Sequence, residues 1–197
     1  MESLASYLCN QCLQRKIIKP EKQEIYRVGF ELIIADIINF SLIFICGILT
    51  KSFLYSCVYS LLLWFVRRFS GGFHAKTYGV CRVVTVGTYL LVFLVNKFII
   101  EHWLIYALIC DAISIMTMII FAPIRHPNKE LTLSEIKANR FFAILTTILF
   151  SLLSILLIIF NLKIGLVISL TLLAITVLMY IGLFVNRREG NGNENSK

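Results

Sequence analysis

The chain has little of what keeps a protein in water. Only 15% of its 197 residues are charged while 58% are apolar, so a soluble fold would have too little polar surface to cover its core. Most of the apolar area must face lipid or other helices. The first 27 residues have no long apolar run and carry Arg15, Lys16, Lys19, Lys22 and Arg27, which is not the pattern of a secretory signal peptide. There is no internal repeat. No disulfide framework is expected from the six cysteines, because Cys46, Cys57 and Cys110 lie inside apolar stretches where Cys behaves as a small hydrophobe. The net charge of +8 is spread over several short loops rather than one face, which points to anionic lipid headgroups or an acidic substrate and away from nucleic acid.

What the chain does have is six apolar runs, roughly 28 to 50, 52 to 66, 83 to 100, 103 to 124, 141 to 160 and 164 to 185. Most are near the ~20 residues that cross hydrocarbon as a helix, and none has the two-residue alternation of a membrane strand. The expected fold is an all-α polytopic membrane protein of about six transmembrane helices. With the N-terminus inside, 16 of the 19 Lys and Arg fall on the inner side, so both termini are expected in the cytoplasm. The second run is short: its 15 residues rise roughly 22 Å against about 30 Å of hydrocarbon. Four spans plus a re-entrant element built from runs two and three is therefore an alternative. Residues 1–27 read as a cytoplasmic amphipathic segment whose helix Pro20 would end, 28–186 as one membrane domain, and 187–197 as a disordered cytoplasmic tail.

One stretch, 67 to 82, resembles neither a span nor an ordinary loop. It holds Arg67, Arg68, Gly71, Gly72, His74, Lys76, Gly79, Cys81 and Arg82. Peptide cleavage by a thiol needs a nucleophile and a base that later protonates the leaving amine, and Cys81 with His74 supplies both. Cations near a thiol favour its thiolate form. On a straight helix, positions 74 and 81 would lie about 10.5 Å apart along the axis, too far to touch. A working pair therefore requires this stretch to depart from a straight helix, which its glycines permit. Taken alone, a His and a Cys in a basic cytoplasmic loop can also be coincidence, since topology by itself puts cations there.

Those residues carry a resemblance. The basic amphipathic N-terminal segment, the Arg67 to Cys81 block after the second run, the Ala122-Pro123 and His126-Pro127-Asn128-Lys129 loop and the paired runs to the end resemble the accessory gene regulator B family. These are membrane cysteine endopeptidases that mature quorum-sensing propeptides in Gram-positive bacteria. The resemblance implies Cys81 as nucleophile, His74 as general base and acid, and Arg67 and Gly72 as further positions needed at the site. It implies a propeptide with an amphipathic leader and an acidic C-terminal part, which Arg68, Lys76 and Arg82 together with Arg67 would suit, and a homodimer in the cell membrane. The product would be a thiolactone, reached through an acyl-thioester. No cofactor and no metal is expected.

Three carboxylates inside the spans call for a reading, because such groups are costly there. Glu31 lies about 5 Å below the cytoplasmic boundary, Asp36 about 12 Å and Asp111 about 20 Å, so only Glu31 is placed to orient His74. His102 falls in an outer loop, and His126 in an ordinary Pro-rich turn on the inner side. Cys9 and Cys12 have half of a zinc-site spacing and no second pair nearby. Two other readings stay open: a small transporter or channel that uses the intramembrane carboxylates, and a membrane scaffold.

Overall fold

A backbone in hydrocarbon has to satisfy its own N–H and C=O groups, and the apolar runs do so as helices. The computed structural model describes residues 2–15, 17–71, 78–124 and 132–194. Among them are α1 (Glu2–Gln14), a 3-10 turn (Pro20–Lys22), α2 (Gln23–Leu49), α3 (Phe53–Ser70), α4 (Tyr78–Phe98), α5 (Trp103–Phe121), α6 (Leu133–Ile159) and α7 (Ile164–Glu194), with no strand. Among the described residues five helices, α2 and α4 to α7, are long and apolar enough to cross a membrane. The chain is an all-α polytopic membrane protein.

The bundle is organised around α7. Its spanning stretch is 67% buried, against 22–33% for the other four, and α3, α4, α5 and α6 all pack on it. Outward-facing Leu91, Leu149 and Leu152 are each more than half exposed, a surface that lipid covers without cost and water does not. Inside, hydroxyls replace bulk. Ser154 donates to the Gly165 carbonyl at 2.7 Å and lies 2.6 Å from Ser169, so α6 and α7 meet closely at small residues.

Three boundaries differ from the sequence reading. The second run continues as helix through Arg67 and Arg68 to Ser70, giving α3 18 residues and about 27 Å of rise, which removes most of its shortfall in length. α1 stops at Gln14, well before Pro20, which instead opens the 3-10 turn. The tail expected to be disordered from 187 is helical to Glu194. Extending an existing helix adds a hydrogen bond for each residue fixed and needs no new nucleus, so polar residues follow the apolar span.

Short connections set the ends of the bundle. Residues 50–52 fold α2 back onto α3, with Ser52 N–H donating to the Gly47 carbonyl at 2.7 Å. At that same end of the helices, the Lys163 ammonium lies 5.6 Å from the Trp103 ring and Trp103 Nε1 donates to the Ile100 carbonyl. At the opposite end, the ends of α3 and α5 and the starts of α4 and α6 gather. There Arg140 on α6 donates to the Ile119 carbonyl at 2.6 Å, satisfying one of the free carbonyls that close α5.

Candidate functional site

Two features shape the end of α3. Gly71 caps the helix at φ 71° and ψ −160°, a region open essentially to glycine alone, and donates its N–H to the Arg67 carbonyl at 3.2 Å. The chain just past α5 then docks on it: Ile124 N–H donates to the Ser70 carbonyl at 3.0 Å. A Cβ on Gly71 would stand 2.6 Å from the Ile124 carbonyl oxygen, so this contact requires the absence of a side chain. The segment after Ala122-Pro123 thus touches the start of the Gly71-Gly72 stretch. Spacing along the chain gave no sign of that contact.

Cys81 lies in the first turn of α4, where the helix dipole favours negative charge. Thr85, Tyr89, Val92 and Asn96 form the buried stripe of α4, and Cys81, one turn before Thr85, continues that stripe to the half-buried rim. Its thiol is free of any disulfide. α3 ends at Ser70, and Gly71 leaves helical geometry, so α3 does not run on through Gly71. The stretch in which the spacing of positions 74 and 81 calls for a bend, 72–77, lies outside the described residues. His74, Gly72 and Lys76 lie outside the described residues, as do His126 and Lys129.

The register of the α2–α3 hairpin orders the remaining groups. Gly47 faces Ser56 so closely that a Cβ would collide with the Ser56 hydroxyl. Counting outward from that pair, Asp36 comes level with Arg67, and the two are within electrostatic reach of one another. Glu31, by the same count, falls just past the level of the end of α3 and is 9% exposed. The two arginines diverge. Arg67 is half-buried toward the bundle, whereas Arg68 is exposed and stacks over Trp64 with its guanidinium carbon 5.9 Å from the ring. Arg82, next to Cys81, is half-buried.

Other groups fall away from this end. His102 precedes α5 at the far end of α4, and Cys81 and Phe98 are separated by 17 residues of helix, about 26 Å. His102 therefore cannot serve Cys81 within one chain. Cys9 is buried and donates its thiol to the Gln23 carbonyl at 3.4 Å, which seats α1 on α2. No group of three or more His, Cys, Asp or Glu residues among the described residues could hold a metal. Asp111 is 3% exposed within α5, α6 and α7, with the Ser151 and Ser169 hydroxyls beside its carboxyl.

A family model described as Accessory gene regulator B matches residues 1–181. No curated protein and no solved structure matches the chain.

Proposed function

Belonging as it does to the accessory gene regulator B family, whose members act in quorum-sensing peptide processing, the chain is in our reading a membrane cysteine endopeptidase, and we propose that it cleaves and cyclises a propeptide at Cys81. The observation that carries this is the position of Cys81: a free thiol in the first turn of a helix, half-buried at the rim of a packed stripe, with the preceding helix closed by the non-helical Gly71.

In this mechanism His74 takes the Cys81 proton and the thiolate attacks the scissile carbonyl. The C–N bond breaks, the proton passes from the imidazolium to the leaving amine, and the acyl group stays on sulfur. The peptide's own cysteine thiol then attacks the thioester, forming the thiolactone as Cys81 leaves with a proton returned. One thioester replaces another, so this exchange is nearly balanced, and exclusion of water at the membrane face protects it from hydrolysis. Arg67, Gly72 and Glu31 support the pair, while Arg68, Lys76 and Arg82 attract the acidic end of the substrate. The amphipathic leader lies at the same interface, the active loop faces the cytoplasm, and the enzyme acts as a homodimer.

A transporter reading draws on one observation, the Asp111 carboxyl buried inside the bundle. Co-expression of the full chain with a short peptide encoded beside it, followed by mass spectrometry, separates the two. Cys81→Ala should abolish both the cleaved product and its cyclic form, which lacks the mass of one water relative to the linear fragment. Asp111→Asn should process normally. Wild-type processing by Cys81→Ala, or loss with Asp111→Asn alone, would overturn the proposal.

A further inference from the structure

α3 and α4 touch sparsely along their lengths, although the break between them bears the reacting groups. One tie between them centres on Tyr59. Tyr59 on α3 is fully buried, and its ring meets Tyr89 on α4 edge-on with centroids 5.4 Å apart. Its hydroxyl donates to the Thr85 carbonyl at 3.1 Å and lies 2.5 Å from the Thr88 hydroxyl. The Thr85 hydroxyl in turn donates to the Cys81 carbonyl at 2.8 Å. A continuous path of hydrogen bonds thus runs from α3 through the turn of α4 at Thr85 to the backbone of Cys81.

From this path we infer that Tyr59 is a positioning residue for Cys81. The inference rests on the peptidase reading above. Tyr59 fixes the height and rotation of the first turns of α4 against α3. Thr85 is one turn, about 6 Å, from Cys81 on the same face, so a slip of α4 at Thr85 is carried rigidly to the thiol. Arg67 is two turns along α3 from Tyr59, so the same anchor sets the height of Arg67 relative to the thiol. Covalent catalysis tolerates little error of this kind, since a misplacement of about 1 Å can cost about a hundredfold in rate. Binding of the peptide's distant parts depends less on it. The chemical step should therefore suffer while substrate affinity is kept.

The test uses full-length protein in lipid vesicles with synthetic propeptide. Tyr59→Phe keeps the ring against Tyr89 and removes the hydroxyl; kcat should fall about tenfold with KM within about twofold. Thr85→Val should lower kcat similarly, while Thr85→Ser, which retains the hydroxyl, restores it. The rate at which Cys81 is alkylated by a small reagent, measured without substrate, should change in Tyr59→Phe and Thr85→Val and not in Thr85→Ser. Should Tyr59→Phe fail to fold, the Thr85 pair decides. Wild-type kcat in Tyr59→Phe beside an inactive Cys81→Ala would overturn the inference alone, as would equal losses in Thr85→Val and Thr85→Ser. Wild-type cleavage by Cys81→Ala would instead remove the peptidase reading itself.

Discussion

At the scale of single residues, the site end of the bundle depends on one atom that is missing. Gly71 adopts φ 71° with ψ −160°, and its Cα faces the Ile124 carbonyl too closely for a methyl group. Gly71→Ala therefore carries a backbone cost of about 1–3 kcal/mol before any clash is relieved. The mutant should unfold at lower temperature in detergent and process peptide poorly, whereas Gly79→Ala, whose Cβ would meet nothing within 4 Å among the described residues, should do neither. Equal melting of the two would remove the importance given to the Ile124 contact. Two adjacent glycines after a pair of arginines were visible in the sequence as a break. Which of them must be glycine was not, because the neighbour that excludes a side chain lies 53 positions away in the chain.

At the scale of elements, α2 and α3 act as a hairpin whose register sets the height of every charged group near the loop. The contact of Gly47 with Ser56 fixes that register, bringing Asp36 level with Arg67 and Glu31 to the end of α3. A large side chain at Gly47 must push the helices apart, since in lipid helices associate through close packing of small residues. Gly47→Leu should lower stability by about 1–3 kcal/mol, the usual cost of overpacking, and reduce processing in parallel. A melting temperature equal to wild type would show that the hairpin is held elsewhere. Element ends followed local chemistry less evenly. The Thr132–Glu135 capping box that opens α6 matches the pattern of Thr followed three residues later by Glu, whereas the extension of α3 through Arg67 and Arg68 runs against hydropathy. Their charged heads can reach out of the apolar layer while the backbone stays helical.

At the scale of the whole molecule, the two ends differ in kind. One gathers Trp103 and Lys163; the other gathers Gly71, Cys81, Ile124 and Arg140. From the distribution of basic residues we propose that the second end faces the cytoplasm. Single-cysteine variants in otherwise cysteine-free protein should report this when probed in whole cells. A thiol placed at Lys163 should react with a membrane-impermeant reagent from outside, and one at Lys197 only after the cells are opened. Labelling of both from outside would invert the topology and expose the loop to the wrong compartment for a cytoplasmic propeptide.

Hydropathy and charge are summed along the chain and need no partner, which is why the sequence by itself determined a helical, polytopic membrane protein with a basic, glycine-containing stretch before Cys81. Distance between residues far apart in the chain is another matter. The tertiary structure alone decided that Ile124 closes on Gly71, that Asp36 stands level with Arg67, that His102 lies a helix length from Cys81, and that Tyr59 holds α4 through Thr85. Each of these is a contact or a separation fixed by how helices pack. Packing depends on the faces that two elements present to one another, and no local pattern in either one specifies it.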